Sequence, residues 1–248
     1  MAGKNHILTS LRVYLDGYNI SGDTRSLDSM DGMYGEVDML GVSETVHNFL
    51  ADKVFPAAIR GYKALMNDTA LSGAHTLLIN PETGHEISVL MGQSGSAPDE
   101  GDPAYLLGAV QMSDTAAFDA SAAVLQTDFL PDAGVTNYNP NGVVLSDATS
   151  LSATTNKTAV NNGGSSANGY HANLHVVATA SGNFAILIQH STSGAFAGEE
   201  ATLHTFTSTG GSVASEHGSG TGTVNQYVRA RFVRTAGSIT PIIAFARG

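Results

Sequence analysis

Alternation of apolar and polar positions is the dominant pattern in this chain. In LRVYLDGYNI (11–20), Val13 and Leu15 alternate up to Asp16-Gly17, and Tyr18 and Ile20 alternate after it. A type I′ turn needs positive φ at both central residues, which Asp-Gly tolerates, so the segment predicts an early β-hairpin. HTLLIN (75–80) and HEISVLMG (85–92) read as two strands around the turn-like PETG (81–84). A polar loop, QSGSAPDEGD (93–102), leads into AYLLGAVQMS (104–113), a strand with Gly108 placed to mark a bulge. Segments 57–66 and 120–130 fit helix and strand equally. One short helix is predicted over SETVHNFLADK (43–53), where Val46, Phe49 and Leu50 fall at i, i+3 and i+4. Ser43 is its N-cap, Glu44 sits in its first turn, and Pro56 lies beyond its end.

The carboxy-terminal third is more regular. ANLHVVATA (172–180), FAILIQHS (184–191), LHTFTS (203–208), VNQYVRARFVR (224–234) and ITPIIAFAR (239–247) read as strands, with a turn at SGN (181–183). Strands recurring between Gly/Ser turns predict an antiparallel sandwich or barrel. In 224–234 the period of two puts Val228, Ala230 and Phe232 on one face. Tyr227, Arg229 and Arg231 fall on the other, facing solvent or a partner. Residues 131–169 are rich in Asn, Gly and Ser and poor in large apolar residues. They read as a linker or arm holding one short strand, VVLS (143–146). The expectation is a mainly β protein in three parts: a tube-like β-sandwich or barrel with a short helix over 1–130, the polar segment 131–169, and an antiparallel β-sandwich over 170–248.

Composition sharpens this picture. The 248 residues can bury a substantial core, and 28 Gly with only 13% charged residues favour strands and turns over amphipathic helices. With so few charges, the surface is either small and polar or covered by other subunits. Cysteine is absent, which removes disulfides and thiolate ligands. The chain shows neither a signal-peptide pattern nor an apolar run of membrane length, which predicts a soluble protein from a reducing compartment. Net charge is −11 and uneven: residues 1–132 hold 18 Asp/Glu against 6 Lys/Arg, whereas 133–248 hold 4 against 5. An amino-terminal part at −12 repels phosphate, which argues against tight nucleic-acid binding through it.

Candidate chemistry is sparse. His171 and His175 share a face in HANLH but have no local third ligand for zinc, and His190 and His204 lie on neighbouring predicted strands and would approach only if those strands pair. Asp99, Glu100 and Asp102 lack the alternating spacing, central Gly and terminal Glu of a calcium loop. No nucleophile elbow occurs, and the glycine-rich GGSSANG and GSGTGT lack the lysine of a phosphate loop. No catalytic residue, metal or cofactor is expected.

LRVYLDGYNISGDTRSL followed by GEVDMLGVSETVHNFLADKVFPAAIRGY resembles the opening of tail tube (major tail) proteins of long-tailed bacteriophages. There a strand pair with a "DGY-ISG" turn precedes an "-EVD-L--T" segment. The stretch from GYHANLHVVATA through QYVRARFVR to IIAFAR looks like the β-sandwich ending of phage structural proteins. The polar segment 131–169 departs from the simplest tube proteins and leaves room for an adornment domain or another virion role. The resemblance implies a virion subunit, made in the host cytoplasm, that forms stacked homohexameric rings with copies of itself and meets other tail proteins. Double-stranded DNA would pass through the channel without tight binding. On that reading Val13, Leu15, Asp16, Gly17, Tyr18 and Ile20 form an assembly hairpin that pairs with a neighbour, and Asp16, Asp23 and Asp28 are candidates to face the lumen. Tyr227, Arg229 and Arg231 would face a partner. The alternatives are a capsid-decorating protein, for which three-fold assembly would speak, and a carbohydrate-binding sandwich. The absence of Trp and the 7% aromatic content weigh against the latter.

Overall fold

A computed structural model describes residues 10–31, 35–38, 49–52, 58–67, 73–79, 84–118, 123–131 and 140–248. The chain is mainly β. Its amino-terminal strands are β1 (Leu11–Leu15), β2 (Tyr18–Asn19), β3 (Thr24–Ser26), β4 (Ser29–Asp31), β5 (Gly35–Asp38), β6 (Phe49–Asp52) and β7 (Ala58–Leu65). Helix α1 (Ala74–Leu78) precedes β8 (Gly84–Met91), β9 (Pro103–Gln111), β10 (Thr115–Phe118), β11 (Ala123–Pro131) and β12 (Asn141–Ser146). The rest are β13 (Thr155–Asn156), β14 (Val160–Asn161), β15 (Tyr170–Ser191), β16 (Ala201–Thr205), β17 (Ala214–Gly220) and β18 (Tyr227–Arg247).

One sheet of 16 strands takes in everything except the β5–β6 ribbon, and its path runs β16-β15-β18-β12-β9-β11-β7-β3. The strand pairs are antiparallel, and β1 joins through β8, which pairs with β9. β12 lies between β9 and β18, so the segment read as a linker supplies the strand that carries the sheet from the amino-terminal part to the carboxy-terminal one.

Three apolar clusters fill the molecule. Val13, Leu15, Ile87, Val89, Tyr105 and Leu107 belong to the first, and Phe184, Ile186, Val228, Phe232, Ile243 and Phe245 to the second. A third holds Tyr14, Leu90, Leu106, Val144, Ile242 and Ala244, drawn from β1, β8 and β9 on one side and β12 and β18 on the other. Strands β1, β8, β9 and the end of β18 therefore have apolar residues on both faces, which explains their unbroken apolar runs. Beyond Phe184, β15 is buried at alternate residues as far as Ile188, as expected where one face meets solvent.

Several expectations change. Phe49–Asp52, the described part of the predicted helix 43–53, is a strand paired with Gly35–Asp38; Ser43, Glu44 and Val46 lie outside the described residues. HTLLIN is helical over Ala74–Leu78, because Ala74 and Leu78, one turn apart, both enter the first core. SGN does not reverse the chain. Ser181 and Gly237 take positive φ opposite each other, and the β15–β18 ladder continues past them with a shifted register. A further strand, β17, lies between the predicted strands 203–208 and 224–234.

Candidate functional site

The early hairpin is built as its sequence dictates. Tyr14 pairs with Asn19 and Leu15 with Tyr18, and Asp16 (φ 50°) and Gly17 (φ 87°) form the two-residue turn. Its apolar residues are spent inside the chain. Val13, Leu15 and Ile20 lie in the first core, and β1 pairs along its other edge with β8. Only the outer edge of β2, at Tyr18 and Asn19, is left for a neighbour among the described residues.

The turn is pressed against the carboxy-terminal ribbon. The Gly17 N–H donates to His175 Nδ1 at 3.2 Å, and a Cβ on Gly17 would come within 2.7 Å of the Ala214 carbonyl oxygen. His175 is fully buried, and its Nε2 lies 2.9 Å from Ser88 Oγ. Beside it the buried Asn173 donates to the Ile87 and Leu107 carbonyls, and His217 Nδ1 lies 2.8 Å from Asn173 Oδ1. His171 Nδ1 is 3.4 Å from His217 Nε2, and Glu86 Oε2 is 3.6 Å from His217 Nδ1. These groups form a polar seam between β8, β9 and the turn on one side and β15 and β17 on the other. Burial lowers the pKa of His175 to about 4 although the Asp16 charge pulls the other way. Burial, with His171 and His204 nearby, lowers His217 to about 4.

The expected lumen carboxylates have separate surroundings. Asp16 accepts from the Glu86 N–H at 2.8 Å and meets His85 Nδ1 at 2.5 Å, which makes it part of the seam. Asp23 accepts from Asn67 Nδ2 and from the Ala74 N–H, satisfying a free donor at the start of α1. Asp28 is 59% exposed, with Lys63 Nζ 3.9 Å away, and of the three it is the one open to solvent.

Val228, Ala230 and Phe232 are fully buried, so Tyr227, Arg229 and Arg231 share the opposite face of β18 as the alternation predicts. Arg229 donates through Nε and Nη2 to Gln189 Oε1, and its guanidinium lies 4.0 Å above the Phe196 ring. Arg231 Nε is buried without a hydrogen-bond partner. Asn161 Nδ2 donates to Tyr227 Oη at 3.5 Å.

Elsewhere His190 Nδ1 accepts from the Asn225 N–H, and His204 meets the Tyr170 hydroxyl at 3.2 Å. Asp99, Glu100 and Asp102 bond within their own loop, and Glu100 also reaches Lys157 at 2.7 Å. Among the described residues no group of three or more His, Asp or Glu side chains is placed to hold a metal. No helix among them is long and apolar enough to cross a membrane. The seam's chemistry is hydrogen bonding between buried and partly buried partners that the strands hold in place. Ser88, Asn173 and His217 escaped the sequence reading because strand register alone brings them together.

Fold and seam define a mainly antiparallel β protein whose two parts share one sheet and one polar joint. The chain bears a distant similarity to Dit (gp 19.1) of SPP1, described as a paradigm of the hub adsorption apparatus in phages infecting Gram-positive bacteria. The TM-score is 0.36 at 12% sequence identity, over 96% of this chain and 99% of that one. No family model matches the chain, and no curated protein does.

Proposed function

We propose that this chain is a structural subunit of a phage virion that assembles with copies of itself, and that its place is the tail, as a ring- or tube-forming protein of the conduit for DNA. The observation that supports this most is the number of β edges left open. Among the described residues, β10 pairs only with β11, and β5 and β6 pair only with each other. A two-stranded ribbon is marginal in water by itself, and an uncharged edge such as Thr115–Phe118 invites another strand. A ring of identical subunits uses head-to-tail contacts, and edges of this kind are what such contacts join. The exposed apolar side chains Ile79 and Met112 add to the same reading. A sparsely charged surface and the acidic balance of residues 1–132 suit a subunit that is covered by its neighbours and does not grip DNA.

Sedimentation velocity and negative-stain microscopy of the purified chain test this. Six-fold rings or hollow tubes are expected at high protein concentration. Three-fold particles would move the assignment to capsid decoration, and a monomer at every concentration would overturn the assembly reading.

A further inference from the structure

The seam fixes the position of its own protons. A backbone N–H can only donate, so the contact from Gly17 makes His175 Nδ1 an acceptor. In the neutral ring the hydrogen then sits on Nε2, directed at Ser88 Oγ. Asn173 is oriented by the same logic. Its Nδ2 points at two carbonyls, Ile87 and Leu107, which only accept, so Oδ1 is the atom facing His217. His217 must donate from Nδ1, and its Nε2 accepts from His171. The buried His175 ring and the partly exposed His217 ring differ in what a second proton would do. His217 gains it on Nε2, and His171 can answer by changing tautomer and accepting. His175 gains it on Nδ1, directly against the Gly17 N–H, where the backbone has no alternative.

We propose that His175 is a pH-sensitive catch: neutral, it holds the Asp16-Gly17 turn on the carboxy-terminal ribbon, and protonation expels the turn and opens the seam.

The groups facing His175 are known from each side. The hairpin brings Asp16 and the Tyr14 ring, 6.0 Å away, and the Asp16 carboxylate is already taken by His85 and the Glu86 N–H. β8 brings Ser88 and Glu86, with Glu86 on the His217 side. β17 brings His217, with Ser215 directly across from His175, and β15 itself contributes His171. β18 places Ile242 across from His175, and β9 sets Leu106 and Gly108 opposite Ser88 and Glu86; none of these three titrates. The one charge that would welcome a cation is Asp16, and it leaves the ring's pKa at about 4 against the ordinary 6.5. The folded value lies below the unfolded one, so the closed seam is fully stable above pH 6.5 and loses stability as pH falls towards 4.

Amide hydrogen exchange read by NMR at pH 8 and pH 5 tests the catch. If a freed His175 titrates normally, the closed-to-open ratio falls by about 30-fold between these two values. After correction for intrinsic exchange, protection of the Gly17 amide should fall by about that factor. The Ile239 amide, bonded to the Leu151 carbonyl away from the seam, should hold its protection. Imidazole nitrogen shifts should show His175 as the Nε2–H tautomer down to pH 5. His175→Asn keeps an acceptor for Gly17 that does not titrate, and should remove the share of the pH dependence at Gly17 that His175 supplies, about 30-fold, leaving only what His217 adds. Gly17 protection that is flat with pH overturns the proposal. So does protection lost in step with Ile239, or a His175 ring titrating near 6.5 in the folded protein. The titration uses the unmodified chain and decides the matter even if the variant fails to fold.

Discussion

At the scale of single residues, Gly17 and Lys157 carry consequences out of proportion to their size. Gly17 combines a φ of 87° with a Cβ position only 2.7 Å from the Ala214 carbonyl oxygen. Gly17→Ala meets both conformational strain and a backbone clash, and should cost about 1–3 kcal/mol in a urea melt. Lys157 is 8% exposed and binds Glu100 Oε1 at 2.7 Å and Asp147 Oδ1 at 2.6 Å, tying the loop before β9 to the chain after β12. Lys157→Ala strands two half-buried carboxylates beside each other and should cost about 3–5 kcal/mol. For Asp147, burial alone would raise the pKa, but hydrogen bonds from Lys157 and Thr149 and the Lys157 charge outweigh it and hold it below 3.8. Its contribution is therefore present above pH 3.8 and is lost as pH falls through the lower folded value. The Lys157→Ala variant should lack that acid-side step in a plot of stability against pH. The Asp16-Gly17 turn was legible in the sequence because it is a two-residue event. The Lys157 triad was not, since its members lie 47 and 57 positions apart from Glu100 and have no local signature.

At the scale of elements, pattern succeeded where one face was buried and failed where both were or where pairing overrode it. Val228, Ala230 and Phe232 were placed correctly because the start of β18 meets solvent on its other side. ASEHGSG contains no large apolar residue to mark it as a strand, and only its ladder with Tyr170–Val176 makes it β17. Phe49 and Leu50 fit a helical period by chance in a short window, and pairing with Gly35–Asp38 won. The β10 edge permits a direct check of the assembly reading. Ala116 is exposed on a strand that no charge protects. Ala116→Lys should leave the unfolding free energy in a urea melt within about 0.5 kcal/mol of the parent while reducing ring or tube formation in sedimentation velocity.

At the scale of the whole molecule, the two parts are not independent bodies. The charge balance changes abruptly near residue 132, yet β12 continues the sheet from one part to the other and the third apolar cluster draws on both. Leu106 sits in that shared cluster, fully buried. Leu106→Ala should cost about 2–5 kcal/mol and lower one common transition in calorimetry, without splitting the melt into two. Two separate transitions in the parent would show that the shared cluster does not couple the parts.

The contact between Gly17 and His175 spans 158 positions. During synthesis the first strands leave the ribosome long before their lid exists. Tyr14, Leu90 and Leu106 must then wait in water, or on a chaperone, until Ile242 and Ala244 arrive. Closing so wide a loop is slow, so maturation of this chain should wait on β18, and nascent fragments stopped short of it should be sticky.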